Sequence, residues 1–397
     1  MSSNSSECLT VTLKDRHVSF CCVGNMRIGF IVNPIAGMGG KVGLKGTDSV
    51  LAEALARGAV PIAHQRAEEF LKIFRVRLGD YRVELLCCPS EMGAKEAEVA
   101  GFDFQSLPMS IGEKTGPSDT ALAVKLLQKA KVDLIVFVGG DGTARDILDA
   151  VHGDDSPPVI GVPSGVKMYS GIFAINPRDA AEAVLAFLEH RAEVIDFEVM
   201  DADESAIRND VFDVKLYGCM RGISAPSLIQ GSKEVSPTTV SEQDSQAAIA
   251  KYVVEELPKD ATLILGPGTT VERIAQELGV KKTVLGVDVY RSGEAILDAD
   301  ERTLLDAVKD WRKTWIILSP IGHQGILLGR GNQQISAQIV KNVGKKHILI
   351  VATLNKLQGM GTEALRVDTG DEEADSMLHG SMLVVTGYRE GVTVPVK

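Results

Sequence analysis

Short apolar runs alternate with amphipathic segments through residues 27–177. Four runs predict buried strands, at residues 27–32, 82–87, 133–138 and 158–162. Apolar positions spaced three and four residues apart predict helices at 119–130 and 143–151. Strands that alternate with helices in this way form parallel βαβ units, so this part predicts an α/β fold with a Rossmann-like parallel sheet. Ligands of such sheets bind at the carboxyl ends of the strands.

The pattern changes after Pro177. A helix is predicted at 178–190, short strands at 193–230, and a polar loop or hairpin at 232–246. From Ala261 strands and helices alternate again, with a strand expected at 283–290 and a helix at 301–311. We therefore expect an α/β nucleotide-binding domain at 27–177 and a C-terminal domain at 178–397, which is β-rich over 193–260 and α/β over 261–397.

Composition excludes several classes of protein. The hydrophobic share of 45% and the charged share of 24% are typical of a soluble globular protein. A net charge of -11 argues against a nucleic-acid partner, and no apolar run approaches the ~18–20 residues of a membrane span. The six cysteines form no C-x-x-C pair, which favours reduced thiols and a cytoplasmic protein. Residues 1–26 are polar and lack a secretory-signal pattern, so we expect a disordered extension.

The stretch VGGDGT at 138–143 joins a predicted strand to a predicted helix. Glycine allows positive φ and close approach of the backbone to a ligand, and the amides of a helix start attract phosphate. These properties predict a phosphate cradle at Gly139, Gly140 and Gly142. An acid in such a cradle makes sense if Asp141 deprotonates a hydroxyl or faces Mg²⁺. The alternative is structural, with Thr143 capping the helix and Asp146 completing a capping box.

Two further glycine turns follow the first and fourth predicted strands. The first lacks the spacing of a Walker A loop or of a dinucleotide fingerprint. Because the carboxyl ends of parallel strands share one sheet edge, three such turns predict a nucleotide site. The candidates in the two turns are Asn33, Pro34, Gly37, Gly39, Gly161, Pro163, Ser164, Gly165 and Lys167, the last of which is equally a surface lysine.

Two more segments carry candidate binding residues. The turn GPGTT at 266–270 offers Gly268 and Thr269 as a second phosphate loop, or else a glycine turn in which a threonine caps the helix. Arg330, in the glycine-rich stretch 322–336, is the basic residue suited to neutralising phosphate charge. The alternative there is a structured hairpin loop.

Several of these motifs together resemble the NAD kinase and diacylglycerol kinase superfamily. The motifs are VNP-x-AG-x-GG after the first strand, GGDGT, and the blocks at 160–177, 266–290, 322–336 and 367–390. The likeness is greatest to the ATP- or polyphosphate-dependent NAD kinases, in the branch that includes acetoin catabolism protein X-like proteins. It implies an N-terminal α/β domain, a second domain with a β-sandwich-like part, and an active site between them.

The resemblance also implies a reaction. Members transfer the γ-phosphate of ATP, or a phosphate of polyphosphate, to a hydroxyl with Mg²⁺; in NAD kinases the acceptor is the 2′-OH of the adenosine ribose of NAD. Asp141 would be the base and the magnesium-side acid, and Thr143 would join the glycines of the phosphate cradle. Asn33 and Gly37 would line the nucleotide loop. Relatives are often homo-oligomers.

One expected feature of the family lacks a clear equivalent. NAD kinases hold their substrate with an Asn-Glu pair at the start of the second domain, and here Asn209-Asp210 is the nearest candidate. The alternatives are therefore a kinase of another small-molecule or lipid hydroxyl, or a nucleotide-binding accessory protein without turnover. Ala144-Arg145-Asp146 stands where lipid kinases of the superfamily usually carry Asn-Glu, which argues against a lipid.

Overall fold

The computed structural model describes most of the chain. It covers residues 10–13, 16–19, 26–44, 51–112, 114–151, 156–165, 168–202, 214–225, 228–229, 240–321, 325–360 and 362–397. Lys167, Asn209, Asp210 and His323 lie outside the described residues. Within the segment expected to be a disordered extension, β1 (Thr10–Leu13) pairs antiparallel with β2 (Arg16–Ser19).

The first domain is built on a seven-stranded sheet. Its strands are β3 (Met26–Val32), β4 (Val83–Cys87), β5 (Phe104–Ser106), β6 (Leu134–Gly139), β7 (Val159–Pro163), β8 (Glu193–Ala202) and β9 (Val214–Ser224). Their order is β5-β4-β3-β6-β7-β9-β8, and every pairing is parallel except that of β8 with β9. The four predicted strands and the parallel sheet are thus confirmed.

Six helices belong to the described part of this domain. They are α1 (Leu51–Ala56), α2 (Ala63–Leu78), α3 (Ala94–Val99), α4 (Pro117–Lys129), α5 (Asp141–Ala150) and α6 (Pro177–Leu188). Helices α2 and α6 pack on one face of the sheet, α4 and α5 on the other, and α1 packs against the first glycine turn. One core packs Phe30 of β3 against Phe70 and Phe74 of α2, and the other packs Phe137 of β6 with Leu127 of α4. Every residue of β6 is buried, because a strand between two helix layers has no face left for solvent.

The second domain has a seven-stranded sheet of its own. Its strands are β10 (Thr262–Leu265), β11 (Asp288–Arg291), β12 (Glu294–Ile296), β13 (Thr314–Leu318), β15 (Ile348–Val351), β17 (Gly380–Gly387) and β18 (Glu390–Val396); β14 (Ile326–Leu328) pairs separately with β16 (Arg366–Val367). The order is β12-β11-β10-β13-β15-β17-β18, parallel from β10 to β17 and antiparallel at both edges.

Six helices lie in the described residues of this part of the chain. They are α7 (Val240–Glu256), α8 (Thr269–Glu277), α9 (Glu301–Ala307), α10 (Ala337–Val343), α11 (Leu354–Gln358) and α12 (Glu372–Leu378). Three 3-10 turns complete the described elements, at Ser90–Met92, Trp311–Lys313 and Lys345–His347. Among the helices of the described residues, none combines the length and apolarity needed to cross a bilayer.

The structure differs from the sequence-based expectations at four places. The hairpin β8–β9, which we assigned to the second domain, extends the first sheet through the pairing of Val159 with Gly222. The expected boundary at 177 therefore does not separate the two sheets. Residues 240–246, expected to be a loop or hairpin, begin helix α7. The strand expected at 283–290 shrinks to β11, and the helix expected at 301–311 ends at Ala307.

Candidate active site

The three glycine turns of the first domain meet at one edge of its sheet. The amide of Asn33 donates to the carbonyl of Val138 at 2.9 Å, and the amide of Ser164 donates to the carbonyl of Gly139 at 3.0 Å. Gly37 has φ +82°, and a Cβ added there would stand 2.3 Å from the carbonyl oxygen of Ser164. The first turn therefore lies directly against the third, as the parallel sheet predicts.

Close backbone contact also joins the second and third turns. A Cβ on Gly165 would lie 3.2 Å from the Cα of Gly140. At Gly139, an added Cβ would meet the Thr143 hydroxyl oxygen at 2.5 Å. That hydroxyl accepts a hydrogen bond from Asn33 Nδ2 at 2.9 Å. The N-cap of α5 is Gly140, and Thr143 is the third helical residue, so the capping-box alternative for Thr143 is wrong.

Asp141 is the first residue of α5 and is fixed by the backbone that follows β7. The amide of Tyr169 donates to Asp141 Oδ2 at 2.7 Å, and the amide of Ser170 donates to Oδ1 at 3.0 Å. Hydrogen bonds to both carboxylate oxygens fix the orientation of this acid. Gly142 follows in the same first turn, where helix amides point toward an approaching anion.

The second domain contributes a cation to this edge. Arg330 is 4% exposed, and burial lowers the pKa of its guanidinium to about 10. The negative charges of Asp141 and Asp368 oppose that effect and favour the charged form. The loop that carries Arg330 is held by Asn332, whose Oδ1 accepts from the Gly329 amide at 2.9 Å and whose Nδ2 donates to the Leu327 carbonyl at 2.9 Å. Because Arg330 is buried, the loop that carries it is more than a surface hairpin.

Two buried ion pairs join the domains around the site. Arg66 of α2 contacts Asp368 at 2.6 Å, and Arg366 of β16 contacts Asp179 of α6 at 2.7 Å. A backbone hydrogen bond of 2.9 Å from the Glu301 amide to the Lys41 carbonyl adds a third link. The two domains are therefore held together by side-chain and backbone contacts.

A cavity of about 550 Å³ opens beside the first glycine turn. Its walls include Gly37 and Lys41 from that turn, Arg66 from α2, and Ser336 and Asp368 from the second domain. This volume lies within the roughly 300–1,000 Å³ of small-molecule sites. The Ser336 hydroxyl is buried with no hydrogen-bond partner in the structure, and so is the hydroxyl of Ser164 in the third turn. Both suit a polar ligand.

Other sequence-predicted candidates fall into three groups. Pro34, Gly39 and Pro163 lie in or beside the converging turns, with Pro163 paired to Gly139 across the sheet. Gly161 lies inside β7, where an added Cβ would meet the Phe173 ring at 2.3 Å, so the structure gives it a packing role instead of a place in the loop. Gly268 and Thr269 lie at the end of β10 in the second sheet, and Gly268 is the N-cap of α8, so the expected threonine cap is wrong.

Several site residues escaped sequence reasoning. The Tyr169 side chain suggests stacking on a base or packing, whereas the contacts with Asp141 come from the backbone amides of Tyr169 and Ser170, which any residue type supplies. Arg66 stands in an amphipathic helix among other charged residues, and only the fold reveals its contact with Asp368. Asp368 itself lies in the block 367–390 that we quoted for the resemblance.

Magnesium fits this site as an ion shared with a ligand. Among the residues that the structure describes, no cluster of three His, Cys, Asp or Glu side chains could hold a metal ion alone. Mg²⁺ is usually bound by one or two carboxylates together with substrate phosphates and water, so a lone Asp141 beside a phosphate cradle suffices.

Comparisons with known proteins agree with this geometry. The model of the ATP-NAD kinase N-terminal domain matches residues 28–192, and that of the ATP-NAD kinase C-terminal domain matches residues 259–396. No curated protein sequence matches the chain significantly.

Solved structures from Bacillus anthracis str. Sterne show a weaker likeness. One, described as a diacylglycerol kinase, is 19% identical, with 45% of this chain and 48% of that chain aligned and a TM-score of 0.20. Another, provisionally named a diacylglycerol kinase, is 16% identical, with 45% and 46% aligned and a TM-score of 0.24. The aligned part is less than half of each of those chains.

Proposed function

The chain belongs to the ATP-NAD kinase family, and we propose that it phosphorylates NAD at the 2′-hydroxyl of the adenosine ribose to give NADP. The donor in this proposal is ATP or polyphosphate, and the reaction uses Mg²⁺. One observation carries the proposal: the Asp141 carboxylate is fixed by two amides at the meeting point of three glycine turns, and its charge acts on the buried Arg330 of the other domain.

Asp141 acts as the general base in this mechanism. As the ribose oxygen forms its bond to the γ-phosphorus, its proton moves to the carboxylate, and the bond between the γ-phosphorus and the bridging oxygen breaks to release ADP. A general base must be held at hydrogen-bond distance from the hydroxyl that it deprotonates, and the amides of Tyr169 and Ser170 fix the Asp141 carboxylate for this purpose. The resulting rate gain is on the order of 10²–10⁴.

The surrounding groups bind and neutralise phosphate. The amides of Gly142 and Thr143 at the start of α5 bind phosphate oxygens, and Ser164 donates its otherwise unpartnered hydroxyl. Arg330 places a positive charge against the charge that develops on the transferring group. Mg²⁺, when bound, would be held by Asp141 and the donor phosphates and would supply positive charge there. The cavity beside Gly37 takes the nucleotide.

The test is NADP formation from NAD, ATP and Mg²⁺, read through a strictly NADP-dependent dehydrogenase. Asp141→Asn keeps the size of the side chain and removes the base, so we expect turnover to fall by about 10²–10⁴. Because the new amide nitrogen cannot accept from the backbone of Tyr169 or Ser170, one of the two hydrogen bonds is lost and the melting temperature should fall slightly. Asp103→Asn is the matched control, because Asp103 is exposed and remote from the glycine turns; it should retain full turnover.

Three results would contradict the proposal. Wild-type turnover in Asp141→Asn would remove this residue as the base. Phosphorylation of a different hydroxyl compound, but not of NAD, would keep the chemistry and change the acceptor. Tight binding of ATP or NAD without any product would identify a nucleotide-binding accessory protein.

A further inference from the structure

The carboxyl edge of the second sheet gathers a separate set of polar groups. Strands β10, β13 and β15 are parallel, so their following segments meet at one edge. Those segments are the turn 266–270, the residue Ser319 after β13, and Thr353 after β15. Ligands of open parallel sheets bind at this kind of edge. The mechanism proposed above for Asp141 uses none of these groups.

The turn after β10 presents an uncapped helix start. Helix α8 has nine residues and begins from Gly268, which has φ +115° and brings no side chain to cap the first amides. Thr269, the first helical residue, accepts a hydrogen bond from Gln246 Nε2 at 3.2 Å through its hydroxyl. The first-turn amides and the helix dipole favour a negatively charged group here.

Thr270 supplies an independent sign of a ligand at this turn. It is the second residue of α8 and is 1% exposed, and its buried hydroxyl has no hydrogen-bond partner in the structure. A buried hydroxyl without a partner costs on the order of 1–3 kcal/mol, so native proteins nearly always satisfy it. A bound acceptor at the helix start would do so.

A lysine lies next to this turn. Lys356 Nζ donates to the Ser319 hydroxyl at 2.9 Å, and a Cβ on Gly268 would stand 3.9 Å from the Ser319 Cβ. Burial lowers the pKa of Lys356 to about 8, and the negative charge of Glu242 opposes that change. Glu242 itself accepts from the Thr353 hydroxyl at 2.6 Å and, at 3.4 Å, from Asn355 Nδ2. An ammonium can donate three hydrogen bonds, and one of those of Lys356 goes to Ser319.

We propose that the start of α8, Thr270 and Lys356 form a second binding site, specific for a phosphate group. The amides of the turn, the threonine hydroxyl and the ammonium are all donors, which is the complement of a phosphate with only acceptor oxygens. Glu242 balances part of the lysine charge when the site is empty. The group is either free phosphate or the terminal phosphate of a nucleotide.

Isothermal titration with inorganic phosphate and with ADP, without Mg²⁺, tests this site. The full-length Asp141→Asn protein is titrated beside the wild type. Binding at the start of α8 can then be judged separately from the activity proposed for Asp141. We expect Lys356→Met and Thr270→Val each to weaken binding about tenfold or more, since each removes a donor to an anion. Thr270→Val is nearly isosteric and remains informative if Lys356→Met misfolds. Lys313→Met, which alters an exposed ion pair with Asp260, is the matched control and should bind normally.

Chemical labelling of the unmodified protein locates the bound phosphate. Lysine residues are acetylated at pH 8 and the modified peptides are quantified by mass spectrometry. The rate of acetylation of Lys356 should fall at least fivefold when the probe is bound, while the rate at Lys313 stays unchanged. Protection by inorganic phosphate would identify free phosphate as the source, and protection by ADP alone would identify a nucleotide. Absence of binding by both probes, or binding that neither Lys356→Met nor Thr270→Val weakens, would overturn the proposal.

Discussion

Replacing Gly37 with alanine tests whether the glycine turns meet as described. Gly37 has φ +82°, a conformation that costs an L-residue about 1–2 kcal/mol. Its added Cβ would also stand 2.3 Å from the backbone oxygen of Ser164, which cannot rotate away as a side chain can. Overpacking of this kind costs about 1–3 kcal/mol. We therefore expect Gly37→Ala to lose about 2–5 kcal/mol of stability.

Gly279→Ala separates the two contributions. Gly279 has φ +74°, but an added Cβ would meet nothing within 4 Å, so this control should lose only about 1–2 kcal/mol. Thermal unfolding measures the difference, at roughly 2–4 °C per kcal/mol for domains of this size. NADP formation should fall at least tenfold in Gly37→Ala but not in Gly279→Ala, because only the first substitution pushes a glycine turn away from Ser164. Equal losses of stability in both variants, with normal turnover in both, would refute the contact.

Two further predictions concern buried charges. Arg330→Met should lower turnover about a hundredfold, because it removes a positive charge from the proposed site. The melting temperature should change little, because the free energy of desolvating the buried guanidinium is about offset by its attraction to neighbouring charges. Unchanged turnover would exclude charge neutralisation by Arg330. Burial raises the pKa of Asp179 to about 6, against the opposing charge of Arg366, so the folded protein holds this proton more tightly than the unfolded chain. The free energy of unfolding should then fall by up to about 3 kcal/mol between pH 4 and pH 7 relative to Asp179→Asn, measured by urea unfolding; a parallel pH dependence in both proteins would contradict the shift.

The centre of the first domain could be predicted from its sequence because its signals are local, whereas β5, α1, α2 and α3 were not predicted. Each strand of its sheet core is a continuous apolar run, and each glycine turn follows such a run, so adjacency in the parallel sheet brought Asn33 and Thr143 together as expected. Gly161 was assigned wrongly because spacing alone cannot distinguish a glycine that approaches a ligand from one that accommodates the Phe173 ring.

Contacts between distant segments could not be predicted in this way. The pairing of β9 with β7 rests on one register position between Val159 and Gly222, which no local pattern encodes. Helix α7 begins with the polar residues that follow Val240, so its start resembles a loop, and it enters the core through its later residues Ile249, Ala250 and Val253. The electrostatic interaction of Arg330 with Asp141 could not be predicted for the same reason, because the two residues are far apart in the sequence.

The position of that cation depends on how the domains are joined. Asp368 has two roles in this joint: its side chain pairs with Arg66 of the first domain, and its carbonyl oxygen lies 2.5 Å from where a Cβ on Gly329 would stand. The residue that docks the domains therefore also abuts the loop that carries Arg330. A buried ion pair adds little net stability, yet breaking one side leaves an uncompensated charge, so such pairs favour one docking register over others. The proposed base at one sheet edge and the cation of the other domain need a fixed alignment, and the Arg66–Asp368 pair supplies it by holding the loop of Arg330 against the first domain.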